Sequence, residues 1–355
     1  MSKIKYGLIG FGGIAENRIA KEGFACDRSR FAPLENATLV AATDLNQARK
    51  PAAEALGLEW YDNAQKMIDD SRIDAVYIAT NNLTHAPLAT MALNAGKHVI
   101  VEKPLATTPE DAQSLVALAK AKNLSIAVDH MMIYNRLNRQ AKELINQGAV
   151  GTVNDSCFHM DFAYGFDPAE AATWRCNNDA ELGGPIGDVA SHCFYMAEFM
   201  LDDEIDEVAA VYYPKTVPIA VETGAYIRFR MKKSGLSGSV HVSFGELRGG
   251  LGGTLSNLGY EIYGDKGVLR GYGTMFQLSG YDDEPLPIRL ELDQFTSQQN
   301  FKADGPSPNI YQSLIQHHAE SIIKGEPIFA ADGPRNVRLC FAAHESARQG
   351  GLWRR

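Results

Sequence analysis

Residues Ile4–Ala15, IKYGLIGFGGIA, decide the reading of this chain. Ile4–Gly10 is an apolar-rich run suited to a buried strand. It passes without a linker into Gly10-Phe11-Gly12-Gly13-Ile14-Ala15, a G-x-G-x-x-A turn that opens a helical pattern. Gly10 permits the tight turn, Gly12 lets a pyrophosphate approach the backbone, and Ala15 permits close helix–strand packing. The phosphates of such a ligand sit on the helix N-terminus, where free N–H groups and the helix dipole favour anions. Strand, turn and helix in this order are the context a dinucleotide fingerprint requires. Gly10, Phe11, Gly12, Gly13 and Ile14 are therefore candidate cofactor contacts.

A second strand-like run, Ala37–Asp44, ends on an acid in VAATDLN. A carboxylate there bonds the adenosine ribose hydroxyls, which favours NAD and repels the additional phosphate of NADP. Leu45 and Asn46 supply no arginine for that phosphate, so Asp44 and Leu45 join the cofactor candidates and NAD is the expected cofactor. Asp44 equally suits a helix cap, and one strand end accommodates both roles. It lies further from the glycines than the usual ~20 residues. The excess is Lys21–Asn36, KEGFACDRSRFAPLEN, an insertion in the first crossover that reads either as a cleft edge or as surface decoration.

Outward from this point the grammar stays the same over the first 130 residues. Short apolar runs at Ala75–Thr80, His98–Glu102 and Ser125–Val128 alternate with amphipathic segments such as TPEDAQSLVALAKAKN. That alternation predicts a doubly wound parallel sheet with crossover helices, a Rossmann domain over residues 1–130. After Asn135 a helix (Arg136–Gln147) gives way to longer strands. AYIRFRM places Ala225, Ile227, Phe229 and Met231 on one face and Tyr226, Arg228 and Arg230 on the other; SVHVSF repeats the pattern with Val240, Val242 and Phe244. Such alternation predicts a large, open, mainly antiparallel sheet with flanking helices over residues 131–355, the substrate-binding and oligomerisation domain. Helices are expected at Ile310–Lys324 and Arg335–Gln349, and RGGLGG (Arg248–Gly253) is too short to be a linker of consequence.

Composition excludes several classes. The chain has 355 residues, 45% apolar and 22% charged, with a net charge of −9 and no basic run, which disfavours nucleic acid as partner. Cys26, Cys157, Cys176, Cys193 and Cys340 are odd in number and never form C-x-x-C, a pattern of reduced thiols rather than of disulfides or a thiolate zinc site. No signal-peptide h-region or membrane-spanning run is seen, so a cytoplasmic protein is expected.

The stretch VIVEKPLATT (Val99–Thr108) sets Glu102, Lys103 and Pro104 where a buried strand runs out of sheet. Ligands of open parallel sheets bind beyond the carboxyl ends of the strands, so Lys103 is expected to face the cofactor cleft. VEKPLA resembles the Glu-Lys-Pro motif of the Gfo/Idh/MocA family of sugar and polyol oxidoreductases. ATNNLTHAPLA (Ala79–Ala89) resembles that family's Thr-x-Asn-x-x-His stretch, INQGAVGTV (Ile145–Val153) its passage into the large sheet, and EIYGDKGVLRG (Glu261–Gly271) a late strand pair. WRCNNDAELGGPIGDVASH (Trp174–His192) is similar to its Trp-Arg, Gly-Gly-Gly, Asp-x-x-x-His segment, with Pro185 in place of the third glycine. The resemblance implies that Thr80 and Asn81 touch the cofactor, with Asn82, His85 and Glu102 counted beside them. His85 starts the next helix and also reads as structural.

Asp188 and His192 are i and i+4 on one helical run, so their side chains share a face. Oxidising a secondary alcohol requires removal of its O–H proton as hydride leaves carbon. A neutral imidazole suits that task, which assigns His192 as general base. Lys103 donates to the reacting oxygen, Asp188 binds a neighbouring hydroxyl and aligns His192, and the resemblance implies the same three roles. Tyr134, Trp174 and Arg175 are expected to line the sugar site, Trp174 reading equally as core. Asp188 and His192 also have metal-ligand spacing. A zinc site needs a third protein ligand, for which only His130 or Cys193 is conceivable, and no metal is expected. His159, His241, His317 and His318 read as structural.

The leading expectation is an NAD-dependent dehydrogenase transferring a hydride between NAD and a ring hydroxyl or keto group of a sugar, inositol or related polyol. The alternatives are a redox-neutral glycosidase that oxidises its sugar transiently and a non-catalytic sugar or NAD sensor. The expected partner is a small carbohydrate or polyol, and the expected assembly is a homodimer or homotetramer.

Overall fold

The computed structural model describes residues 3–246, 257–275, 288–302 and 309–355; Arg248–Gly253 lies outside them. The chain forms two units, one running to Met131 and taking back Asn309–Val337, the other running from Met132 and including Arg338–Arg355.

The sheet of the first unit has six parallel strands in the order β3-β2-β1-β4-β5-β6. They are β1 (Ile4–Ile9), β2 (Ala37–Thr43), β3 (Glu59–Trp60), β4 (Ala75–Ile78), β5 (His98–Val101) and β6 (Ile126–Val128). β4 is wholly buried, as is Val99–Val101 of β5, which is why these runs are apolar without alternation. Only β3 escaped the sequence reading, because two residues carry no periodicity. Thr108 caps the helix Pro109–Lys122, its Oγ1 accepting from Asp111 N–H at 3.1 Å.

A single cut after residue 130 does not anticipate the return of Asn309–Val337 to this unit. The helix Ile310–Lys324 packs on the first helix of the chain, and its His318 Nδ1 lies 2.8 Å from the Tyr6 hydroxyl of β1. The same helix holds the Lys21–Asn36 insertion. Gln312 Nε2 donates to Ala32 O at 2.9 Å, Asn36 Nδ2 donates to Gln316 O at 2.9 Å, and Asn309 Nδ2 donates to Glu22 Oε2 at 2.8 Å. Phe24, Phe31 and Leu34 are buried, so much of the insertion is core rather than decoration.

The second unit is built on eight strands in the order β14-β13-β12-β11-β7-β10-β9-β8. These are β7 (Val153–Asp161), β8 (Ile205–Tyr212), β9 (Gly224–Met231), β10 (Ser237–Ser243), β11 (Leu258–Gly264), β12 (Gly267–Tyr272), β13 (Arg289–Gln294) and β14 (Ser297–Lys302). Every pairing is antiparallel except β7 with β10. Ala225, Ile227, Phe229 and Met231 face the core with Phe158, Met160, Val240, Val242 and Ile262, while Tyr226, Arg228 and Arg230 point outward. The helix Arg136–Asn146 covers β12 and β13 on the core side. Among the described residues no helix is long and apolar enough to cross a membrane.

Asn138 fastens that helix. It is fully buried, its Nδ2 donates to Met132 O and Thr274 O at 2.9 Å each, and its Oδ1 accepts from the Tyr260 hydroxyl at 3.0 Å. Asn138→Ala removes three hydrogen bonds from the core and leaves the Thr274 carbonyl without its side-chain donor, so it is expected to destabilise the protein by about 2–4 kcal/mol. Urea denaturation checks this; a midpoint indistinguishable from the wild type contradicts the assignment.

Candidate active site

The glycine turn is built by a close approach between strands. Gly10 has φ +90°, and a Cβ on it would lie 2.5 Å from Ala79 O at the end of β4, so no other residue fits without displacing backbone. Beyond it, a Cβ on Gly12 or Gly13 would meet nothing within 4 Å. The cradle is open on the side that a pyrophosphate occupies, and the following residues, Ala15–Gly23, form a π-helical first turn set. Ile14 is exposed at the rim, whereas the Phe11 ring is buried.

Asp44 is half-buried just past β2 and tied to this turn: its Oδ2 accepts from Phe11 N–H at 2.6 Å and its Oδ1 from Asn46 N–H at 2.7 Å. An ionised carboxylate has about four lone-pair sites, so capacity remains for two ribose hydroxyls. The residues present thus fit a dinucleotide. Leu45 is 97% exposed beside Asp44. Arg49 was missed by sequence reasoning because it lies one helical turn further on; its Nε donates to Phe11 O at 2.7 Å and its guanidinium pairs with Glu16.

Past β4, Thr80 and Asn81 form a turn in which Thr84 Oγ1 donates to Asn81 O at 2.7 Å; Asn82 is buried and Asn81 exposed. His85 opens the helix His85–Asn94 and is fully buried. Its Nδ1 donates to Pro104 O at 2.7 Å and its Nε2 lies 3.2 Å from Thr80 O, so the ring ties the Thr80 turn to the turn that follows β5. Burial holds its pKa below the ordinary histidine range.

Glu102 and Lys103 follow β5 directly, and the Lys103–Pro104 peptide is cis. Beneath them lies an acid that no motif announced. Asp129, fully buried after β6, accepts from the Tyr77 hydroxyl at 2.6 Å. Burial, and then the neighbouring Glu102 charge, hold Asp129 well above the carboxylate range. The Asp129 and Glu102 carboxyl groups are thus close neighbours behind the strand ends.

The second unit carries the other predicted residues. Gly184 has φ +88°, and its Cβ would lie 2.4 Å from Glu222 Oε2. Pro185 follows with φ −56°, inside the range of the proline ring, so proline serves where the family segment has glycine. The helix then starts with a wide π-turn, Ile186–Ala190, before α-helix proper at Ser191–Leu201. The helical run expected to carry Asp188 and His192 is present, and its first turn is wide: Asp188 stands in the π-turn, where the Glu222 carboxyl takes the Ile186 N–H at 2.9 Å.

Asp188 is buried and its Oδ2 accepts from Arg175 Nε at 3.2 Å. The Arg175 guanidinium also lies 5.1 Å from the Trp174 ring, so three predicted substrate residues form one group. His192 is buried, with Nδ1 hydrogen-bonded to the Tyr195 hydroxyl at 2.9 Å. Tyr195, at i+3 from His192, had a sequence signal in that spacing; Glu222, far along the chain, had none. Tyr134 lies in the turn Met131–Tyr134 under the Arg139 guanidinium, 4.9 Å from its ring centre. Of the two side chains weighed as a third metal ligand, His130 is bonded to Asp332 at 2.7 Å and Cys193 is fully buried.

Burial pushes Glu222 up to about 7. The folded protein then holds a proton that the unfolded chain releases at an ordinary carboxylate pKa. This contribution is fully present in acid below that ordinary value and is lost as pH rises through 7. Glu222→Gln is expected to flatten the dependence: between about pH 5 and pH 8 the wild type loses melting temperature relative to the variant, on the order of 5 °C. Parallel thermal melts across that range check it, and two superimposable profiles contradict it.

Residues 4–130 match the oxidoreductase family with NAD-binding Rossmann fold, and residues 138–270 match the GFO/IDH/MocA C-terminal domain. The chain is similar to 1,5-anhydro-D-fructose reductase of Ensifer adhaerens, 28% identical over 61% of this chain and 62% of that protein. It is similar also to levoglucosan dehydrogenase of Pseudarthrobacter phenanthrenivorans, 32% identical over 46% of this chain and 44% of that one. The matched stretches thus span between 44% and 62% of these curated relatives. Aldose-aldose oxidoreductase from Caulobacter crescentus, solved with glycerol, shares the fold with a TM-score of 0.83 at 22% identity, each chain covered by 100%. With both domains matched in order, the chain belongs to the Gfo/Idh/MocA oxidoreductase family.

Proposed function

We propose that this protein is a nicotinamide-dependent oxidoreductase that interconverts a ring hydroxyl and the corresponding keto group of a sugar or related polyol, with NAD preferred over NADP. The observation that supports this reading most is the open cradle over Gly12 and Gly13 beside a carboxylate, Asp44, that is anchored to the same turn by Phe11 N–H. The curated relatives named above carry sugar-directed names, which supports the substrate class.

When bound, the nicotinamide supplies the two-electron carrier that alcohol–ketone interconversion needs. Backbone N–H groups of Gly12, Gly13 and Ile14 would hold the pyrophosphate, and Asp44 the adenosine ribose. Thr80, Asn81, Asn82 and Glu102 line the nicotinamide end, and His85 positions the two turns that carry them. Lys103 Nζ donates to the reacting oxygen and stabilises its developing negative charge. His192 Nε2 takes the hydroxyl proton, while the Tyr195 hydroxyl at Nδ1 fixes the ring orientation. Asp188, paired with Arg175, accepts from a neighbouring hydroxyl, and Tyr134 and Trp174 offer aromatic faces to the sugar ring.

Incubation with NAD or NADP and a panel of sugars, inositols and glycosides, following cofactor reduction and aglycone release together, tests this reading. Net reduction with at least one free sugar or polyol is expected; aglycone release without net reduction points to redox-neutral glycoside cleavage instead. On the substrate found, Lys103→Met and His192→Asn should each lower kcat by about 10²–10⁴ with unchanged melting temperature. Full turnover by the double variant would refute the assigned roles.

Cofactor choice has its own test. Asp44→Ser removes charged hydrogen bonds of about 1.5–3 kcal/mol, so KM for NAD should rise roughly ten- to a hundredfold while that for NADP falls or stays. A wild type with equal kcat/KM for both cofactors contradicts the preference.

A further inference from the structure

The outer face of the eight-stranded sheet holds a group of side chains that this reaction does not use. Cys157 and His159 are two residues apart on β7, so both project to the same face while Phe158 between them enters the core. β11 runs antiparallel beside β7 with Glu261 directly opposite Cys157. The ligand atoms of Cys157, His159 and Glu261 all lie within 4.8 Å of one another, with His159 Nε2 and Glu261 Oε2 only 2.7 Å apart. From the other side, Ser239 of β10 donates its hydroxyl to Cys157 Sγ at 3.2 Å. The His159 and Glu261 side chains keep 24% and 23% of their exposure, so solvent reaches the group.

We propose that Cys157, His159 and Glu261 form a zinc-binding site on this face. One thiolate, one imidazole and one carboxylate make a borderline-soft donor set, which suits Zn²⁺ and not the all-oxygen preference of Mg²⁺ or Ca²⁺. Bonds of about 2.0–2.3 Å to a tetrahedral ion place its donors roughly 3.3–3.8 Å apart. The ligand atoms, within 4.8 Å of one another and with the His159–Glu261 pair at 2.7 Å, bracket that spacing.

The ion takes the place of the proton between His159 and Glu261, and Cys157 releases its thiol proton on coordination. Ser239 then donates to the metal-bound sulfur, the kind of outer contact that orients a ligand. Three protein ligands leave the fourth position to water. Because the ligands sit on two hydrogen-bonded strands in the interior of the sheet, their spacing is set by strand register. The signal in the sequence is Cys-x-His, which places two ligands on one face only if the segment is a strand.

Titration of the metal-free, full-length protein with Co²⁺ tests the proposal. One equivalent should produce thiolate-to-cobalt charge-transfer absorption, and Zn²⁺ should bleach it. Cys157→Ser should abolish the band, Cys26→Ser should retain it, and His159→Gln or Glu261→Gln should weaken Zn²⁺ binding by about a hundredfold or more. Zn²⁺ should raise the melting temperature of the wild type and leave that of His159→Gln unchanged, which separates loss of the site from loss of the fold. Absence of a charge-transfer band, or a band that survives Cys157→Ser, overturns the site.

Discussion

The first unit depends on one close approach, that of Gly10 at the end of β1 to Ala79 O at the end of β4. At φ +90° and with 2.5 Å to that oxygen from where a Cβ would stand, the chain turns sharply enough to leave the next two glycines uncovered. The same turn presents Phe11 N–H to Asp44, so the neighbouring strand's carboxylate is oriented by backbone rather than by another side chain. A bulkier residue at position 10 would disturb the cradle and the acid together, which is why the motif and the strand order act as one feature.

Behind the strand ends, polar groups are buried and kept neutral. His85 donates Nδ1–H to Pro104 O with its Nε2 3.2 Å from Thr80 O, and burial disfavours its charged form. Asp129 accepts from the Tyr77 hydroxyl, and burial, then the adjacent Glu102 charge, disfavour its charged form. Lys103 thus follows β5 directly, next to a Glu102 that neighbours the buried Asp129.

The second unit prepares its side chains by a different device. Asp188 is paired with Arg175, His192 is hydrogen-bonded to Tyr195, and both stand on a helix whose first turn is widened where Glu222 takes the Ile186 N–H. Wide turns of this kind recur at functional sites because they re-aim side chains that a regular helix would place elsewhere. The large sheet beside it offers an outer face rich in His, Cys and charged residues, where strand register alone groups side chains from distant stretches of chain.

Local pattern made much of this legible. The apolar runs of β1, β2, β4, β5 and β6, the G-x-G-x-x-A turn, the alternation in β9 and β10, and the helices Pro109–Lys122 and Ile310–Lys324 are all written in periodicities of a few residues. The positions of Asp44, Lys103, Asp188 and His192 at strand ends or on one helical run were visible for the same reason. What only the tertiary structure decided is long-range: that Ile310–Lys324 returns to the first sheet, that Arg175 reaches Asp188, that Asp129 lies beneath Glu102, that Glu222 braces the π-turn, and that Glu261 faces Cys157. Each of these joins residues whose partners are chosen by burial and register, quantities that belong to the packed chain and leave no mark in the spacing of neighbouring residues.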